Sequence, residues 1–363
     1  MVICILILTI TIIIIIIISL IIISRLLIRR KKNESILGVF ILTSLSLITT
    51  SFGSFFNQLN QLLILLFYRK ENTIKLIHEF NGVNYTQLIT GIVLLLVSIF
   101  ILNNISNRLY ILNINGYYSK SIEEHHKELH LSKFQFKEHE IDIIGFPYHN
   151  LSKENGKLIK SYTKRKVTSF IEQSNNYKRA YTGIAPIPVV ALIGSYMRRK
   201  KIDYYIEYNK NKDKYIYLNN KNKFPELKLT ISNKESNSND VLLLIGTTAK
   251  ITDNQYKYFS HLKRYNLEID EPKNNSIYSK KQLFNYRDKI INTIEKISDE
   301  NNNLNSIHLL CATQSCLALE IGKMIDSTRH PPIVIYQYTA EKNSKYSWGI
   351  TLNSVNKEFL VRR

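Results

Sequence analysis

Three short stretches of the chain carry side chains suited to holding an anionic, hydrogen-bonding ligand, and each stands where an apolar run ends. The first is Thr182-Gly183-Ile184-Ala185-Pro186-Ile187-Pro188, with a glycine for close approach and a proline-stiffened helix start. The second, Gly246-Thr247-Thr248-Ala249-Lys250, offers two hydroxyls and one cation. The third is Cys311-Ala312-Thr313-Gln314-Ser315, small and polar. Unpaired N–H groups at helix starts favour anions, and open α/β sheets bind ligands beyond the carboxyl ends of their strands. Thr182, Gly183, Pro186, Thr247, Thr248, Lys250, Thr313, Gln314 and Ser315 are therefore the candidate ligand-binding residues.

Catalytic signatures are missing from the sequence. A nucleophile elbow around Ser315 would need glycines where Thr313 and Leu317 stand. Gly246–Lys250 lacks the spacing of a phosphate-binding P-loop, no G-x-G-x-x-G occurs, and no paired carboxylates mark the buried runs. His126 and His130 share a face of a charged stretch, 121–130, read as a linker helix. Lys127 stands where a zincin carries glutamate. Cys4, Cys311 and Cys316 have no metal-binding spacing and suit a reducing compartment. The expectation is a binder that is not an enzyme and needs no cofactor or metal.

The elements that must position these loops alternate. Strands are predicted at 141–146, 179–184, 204–208, 215–218 and 226–231, with helices over 157–173 and from Pro186 to about Arg199. After the polar boundary 232–239 come strands at 241–245, 306–311, 333–338 and 348–352 and helices at 253–265, 280–301 and 314–325. The aliphatic run Val241–Ile245 is of the kind buried on both faces of a parallel sheet. The α/β alternation implies two Rossmann-like halves, 140–233 and 240–363, joined by a linker, 106–139, to what precedes them.

What precedes them is built for lipid. Ile3 to Ile23 is almost unbroken aliphatic and uncharged, and about 20 such residues cross a bilayer core as a helix. Further spans are predicted over Ile36–Phe56 and Gln87–Leu102, so residues 1–105 form a transmembrane module of two to three helices, about 3–24, 36–56 and 87–105. Arg25, Arg29, Arg30, Lys31 and Lys32 follow the first span and mark the cytoplasmic side. The rest is basic too, with 41 Lys and Arg against 26 Asp and Glu beyond residue 105. A basic domain attracts nucleotides, nucleic acid or anionic headgroups, leaving open a membrane-bound nucleotide-processing enzyme or a basic-faced membrane scaffold.

The run His308-Leu-Leu-Cys-Ala-Thr-Gln-Ser-Cys-Leu-Ala-Leu-Glu-Ile-Gly-Lys323, with His330–Tyr338 and Tyr346-Ser-Trp-Gly-Ile-Thr-Leu352, resembles the C-terminal half of SAVED domains. Tyr181–Pro188 with Leu192-Ile-Gly194 is similar to their first half. Gln314 departs from the proline that members often carry near this helix start. The resemblance implies two fused CARF-like halves that bind a cyclic di- or trinucleotide made by a cognate nucleotidyltransferase. It further implies an effector of CBASS antiphage defence, here of the transmembrane type. Ligand-induced homo-oligomers in the bacterial inner membrane, with the SAVED domain cytoplasmic, would then disrupt the bilayer and cause abortive infection. Such a ligand adds Tyr336, Tyr346 and Trp348 to the candidates, the last two as faces for base stacking.

Overall fold

A computed structural model describes residues 32–51, 84–117, 125–132, 135–146, 152–209, 212–232, 238–301, 303–339, 345–353 and 360–362. The chain divides into two compact units, Met1–Arg108 and Leu109–Arg363. The expected span Ile3–Ile23 lies outside the described residues.

In the first unit, α1 (Lys32–Thr50) and α2 (Tyr85–Ser106) pack against each other. Tyr85–Asn103 is the one stretch among the described residues long and apolar enough to cross a membrane, while Leu37–Thr50 is shorter. Ser44, Ser51 and Ser98 are buried, and the backbones approach so closely that a Cβ on Gly91 would lie 2.7 Å from the Ile48 side chain. Gln87 donates to Thr50 Oγ1 at 2.6 Å. Small residues and polar bonds of this kind are what hold apolar helices together in lipid.

The second unit contains two sheets built on the same plan. In the first, β1 (Leu109–Asn115), β2 (Phe136–Asp142), β3 (Lys178–Ile184), β4 (Tyr204–Asn209) and β5 (Lys214–Tyr217) run in the order β2-β1-β3-β4-β5. The first four are parallel and β5 is antiparallel to β4. The second sheet adds β6 (Lys228–Ile231), β7 (Asp240–Gly246), β8 (Lys263–Glu268), β9 (Ser306–Ala312), β10 (Ile333–Thr339), β11 (Lys345–Thr351) and β12 (Leu360–Arg362). Its segment β8-β7-β9-β10-β11 repeats the order of the first sheet, with β6 and β12 as antiparallel edges.

Helices follow the repeat. α3 (Lys153–Gln173) leads into β3 as α5 (Lys280–Glu300) leads into β9, and α4 (Ile187–Met197) follows β3 as α6 (Ser315–Met324) follows β9. α3 and α5 start on serine caps, where Ser152 and Ser279 accept from the amides of Asn155 and Gln282 at 3.1 Å; each is worth about 1 kcal/mol. α4 is apolar almost all round and accordingly buried. It packs on α6 backbone to backbone: a Cβ on Gly194 would meet Leu319 O at 2.2 Å, and one on Gly322 would meet Ala191 O at 1.9 Å. One hydrophobic core spans both halves.

Four expectations are corrected. Residues 109–115, placed in the linker, form the buried strand between β2 and β3. The strand expected at 141–146 is displaced to Phe136–Asp142, an edge strand whose polar alternation hid it. β6, assigned to the first half, pairs with β8 in the second sheet. The helix expected at 253–265 is a 3-10 segment, Asp253–Phe259, followed by β8, because Tyr265 and Leu267 point inward two apart. Within 121–130, the described part is a 3-10 turn, His125–Leu129, in which His126 stacks on Phe136 with ring centroids 4.4 Å apart.

Candidate functional site

The carboxyl ends of the parallel strands of both sheets open on a cleft of about 270 Å³. Equivalent connections from the two halves converge there. Tyr117 follows β1 as Thr248 follows β7; Gly183, Ile184 and Ala185 end β3 as Thr313, Gln314 and Ser315 leave β9. Glu207 and Tyr208 come from β4, and Asn274 and Asn275 from the β8–α5 connection. Among these lining residues none is a lysine or arginine. The surface offers hydroxyls, amides and one carboxylate.

The starts of α4 and α6 are each capped from the other half. The Cys316 amide donates to Glu207 Oε1 at 2.7 Å, and the Ser315 hydroxyl lies 3.0 Å from the same oxygen and 2.9 Å from Gly183 O. At the matching place the Ile187 amide donates to Gln337 Oε1 at 2.9 Å, while Gln337 Nε2 donates to the Tyr117 hydroxyl at 3.1 Å. Glu207 and Gln337 sit on β4 and β10, the fourth strands of their repeats. Burial raises the Glu207 carboxyl to about 7, against the bonds from Cys316 and Ser315, which lower it.

Gln314 is buried and holds the cleft wall through its side chain: it accepts from Ile277 N at 2.6 Å and donates to Ile277 O at 3.0 Å. Asn275, in the left-handed region at φ 56°, donates to Tyr208 O at 3.2 Å.

Beneath the cleft lies a second tie between the halves. Glu320 on α6 is fully buried and meets Arg287 at 3.0 Å, Lys323 at 2.6 Å and the hydroxyl of Tyr205 on β4. Three donors on one buried carboxylate satisfy the requirement that such a charge be paired and hydrogen-bonded.

Of the residues expected from sequence, the structure brings Gly183, Thr248, Thr313, Gln314 and Ser315 together on the cleft. Gly183 is also required by packing, since a Cβ there would lie 2.8 Å from Ile114 O. Thr247 is buried, its hydroxyl 2.9 Å from that of Thr313. Thr182 is buried within β3, and Pro186 precedes α4, its carbonyl accepting from Val189 and Val190. Lys250 is exposed and does not line the cleft.

The three aromatics lie in the core instead. Tyr336 places its hydroxyl 2.9 Å from His308 Nδ1 and packs on Phe259; Tyr346 packs on Tyr338; Trp348 joins the large core cluster. Tyr336 and Tyr346 lie on one face of two neighbouring interior strands and Trp348 on the other, so both faces of the sheet consume them.

Sequence reasoning missed Glu207, Tyr208, Tyr117, Asn274, Asn275 and Gln337. Gly116-Tyr117 was hidden in the supposed linker, although its glycine carries a signal: a Cβ would meet Ala185 Cβ at 2.7 Å. A carboxylate within Tyr204-Tyr-Ile-Glu-Tyr208 was the available signal for Glu207.

Comparison with solved structures finds low likeness. The Acinetobacter baumannii Cap4 SAVED/CARF-domain containing receptor has 14% identity and a TM-score of 0.44, with 67% of this chain and 49% of that chain covered. The same receptor with the cyclic trinucleotide 2′3′3′-cAAA has 13% identity and a TM-score of 0.48, with 74% and 56% covered. The Moraxella osloensis Cap4 receptor has 12% identity and a TM-score of 0.38, with 67% and 49% covered. The chain thus spans about half the length of these receptors. No curated protein matches it. A family model matches residues 163–352, from within α3 past the end of β11 and across both halves of the cleft, and by it the chain belongs to the SAVED family, the SMODS-associated and fused to various effectors sensor domain.

Proposed function

We propose that this protein is a membrane-anchored receptor for a cyclic oligonucleotide, an effector of CBASS antiphage defence that is not an enzyme. The observation that carries the reading is the cleft, where equivalent strand-end loops of two repeated halves converge with hydroxyls and amides. Its pseudo-symmetry suits a ligand that itself repeats, and membership in a family of sensor domains supports a small-molecule signal. The apolar stretch Tyr85–Asn103, together with the aliphatic run Ile3–Ile23 in the sequence, supports anchoring in the inner membrane, with the basic second unit in the cytoplasm. Ligand binding favours an assembled state in which the apolar helices gather and breach the bilayer; only a difference in affinity between free and assembled states can drive that step.

A second reading draws on Glu207. A carboxyl raised to about 7 beside the Ser315 hydroxyl at 3.0 Å has the proton affinity of a general base, as a nucleotide-processing enzyme would use. One experiment separates the two. The full chain in detergent is titrated with cyclic trinucleotides by calorimetry, and the ligand is then recovered by chromatography after prolonged incubation. Saturable binding with intact ligand is expected; conversion to linear product establishes the enzyme.

A further inference from the structure

We infer that Glu207 selects the base of the ligand: its carboxylate accepts a hydrogen bond from an exocyclic amino group and turns phosphate away from that end of the cleft. The inference rests on the receptor reading and deepens it. The start of α6 would otherwise be a natural phosphate seat. Its Cys316 amide and Ser315 hydroxyl are instead directed at Glu207 Oε1, at 2.7 and 3.0 Å. An ionised carboxylate has about four lone-pair positions and no proton to donate, so with the bonds from the Cys316 amide, the Cys316 thiol and the Ser315 hydroxyl, whose one proton is shared with Gly183 O, it retains one position to accept from the cleft it lines.

Among the lining residues no lysine or arginine offsets that charge. A phosphate brought to Glu207 meets like charge in a half-enclosed site, where the repulsion is stronger than in water. An amino group meets a charge-assisted acceptor. Adenine, cytosine and guanine carry such an amine. Uracil presents one N–H flanked by two carbonyls, which the carboxylate repels.

The matching cap differs. Gln337 caps α4 with a neutral amide at 2.9 Å, so the two equivalent helix starts carry caps of different charge. The comparison also shows that glutamine can serve as such a cap, which makes Glu207→Gln the natural variant. The groups facing Glu207 are Tyr181 from β3, Tyr215 from β5 and Cys316 from α6; burial drives all three upward, so they stay neutral near pH 7. With Glu207 itself raised to about 7, its charge is what changes between pH 6 and pH 8.

The test uses the full chain in detergent and four probes: cyclic triadenylate, cyclic tricytidylate, cyclic triguanylate and cyclic triuridylate. The tightest amino-bearing probe is expected to bind roughly tenfold or more tighter than cyclic triuridylate, and Glu207→Gln to collapse most of that ratio. In the wild type, affinity for the amino-bearing probe should fall on the order of tenfold from pH 8 to pH 6 as the acceptor is protonated. This second arm needs no variant and holds should Glu207→Gln fail to fold. Equal binding of all four probes, a ratio unchanged in the variant, or tighter binding at pH 6 overturns the inference and leaves the receptor reading standing. Binding of none of the four probes overturns the inference, and the receptor reading falls with it only when cyclic dinucleotides fail to bind as well.

Discussion

Glu207 and Gln337 occupy matching positions in the two repeats, and each caps the helix that belongs to the other. Glu207 on β4 takes the Cys316 amide of α6 at 2.7 Å; Gln337 on β10 takes the Ile187 amide of α4 at 2.9 Å. The halves are thus exchanged at the cleft floor, and the exchange is neutral on one side and ionisable on the other.

That ionisable side should weaken the fold as pH rises from acid through neutral. The Glu207 carboxyl stands near 7 in the folded chain, above its ordinary value of 4.5. The folded state therefore binds the proton more tightly, and stability declines as pH rises from about 4.5 through 7, by roughly 3 kcal/mol. Chemical denaturation of wild type and Glu207→Gln at pH 5 and pH 8 isolates this group from the histidines. The wild type should lose ground against the variant on going to pH 8.

The Glu320 cluster makes a prediction of another kind. Glu320→Ala leaves Arg287 and Lys323 without the buried partner they share and should cost about 3–5 kcal/mol. Tyr205→Phe removes one hydrogen bond to the charge and should cost about 1.5–3 kcal/mol. Unfolding midpoints at fixed pH measure both.

Trp348 lies in the core, 5% exposed. Trp348→Ala should therefore destabilise by about 3–5 kcal/mol. Trp348→Phe, where folded, should bind cyclic trinucleotides as the wild type does. A loss of affinity in a stably folded Trp348→Phe variant would restore it to the site.

In the first unit, Gly91 lets α2 approach α1 to within side-chain contact of Ile48. Gly91→Leu should separate the helices, so that ligand-triggered dye leakage from liposomes containing the full chain falls while calorimetric binding is unchanged. Leakage that needs no ligand would count against assembly as the trigger.

The sequence was most legible where one periodicity acts alone. Val241–Ile245 and Ser306–Cys311 read as buried strands because near-continuous apolar runs of strand length suit burial on both faces. Residues 109–115 failed the same test because the apolar helix before them blurs the boundary, and Asn113 and Asn115 break the pattern although both are buried. Strand-end loops of the site were visible from glycine, proline and hydroxyl spacing. Glu207 was not, since its role depends on Cys316, 109 residues away. The aromatics misled for a simple reason: a stacking surface and a core position ask for the same side chains, and only burial tells them apart.

The same long-range ties dictate an order of folding. Tyr205 and Glu207 leave the ribosome more than a hundred residues ahead of their partners on α6, at separations of 115 and 109. Until α6 arrives, β4 has a carboxylate to bury with no donor to receive it, and Gly194 faces no backbone to seat against. The first half cannot complete its core during synthesis and must wait, partly open, for the second. The two halves are therefore one cooperative folding unit despite their repeated plan. A chain cut at the polar boundary after β6 would yield two fragments that associate rather than two independent domains.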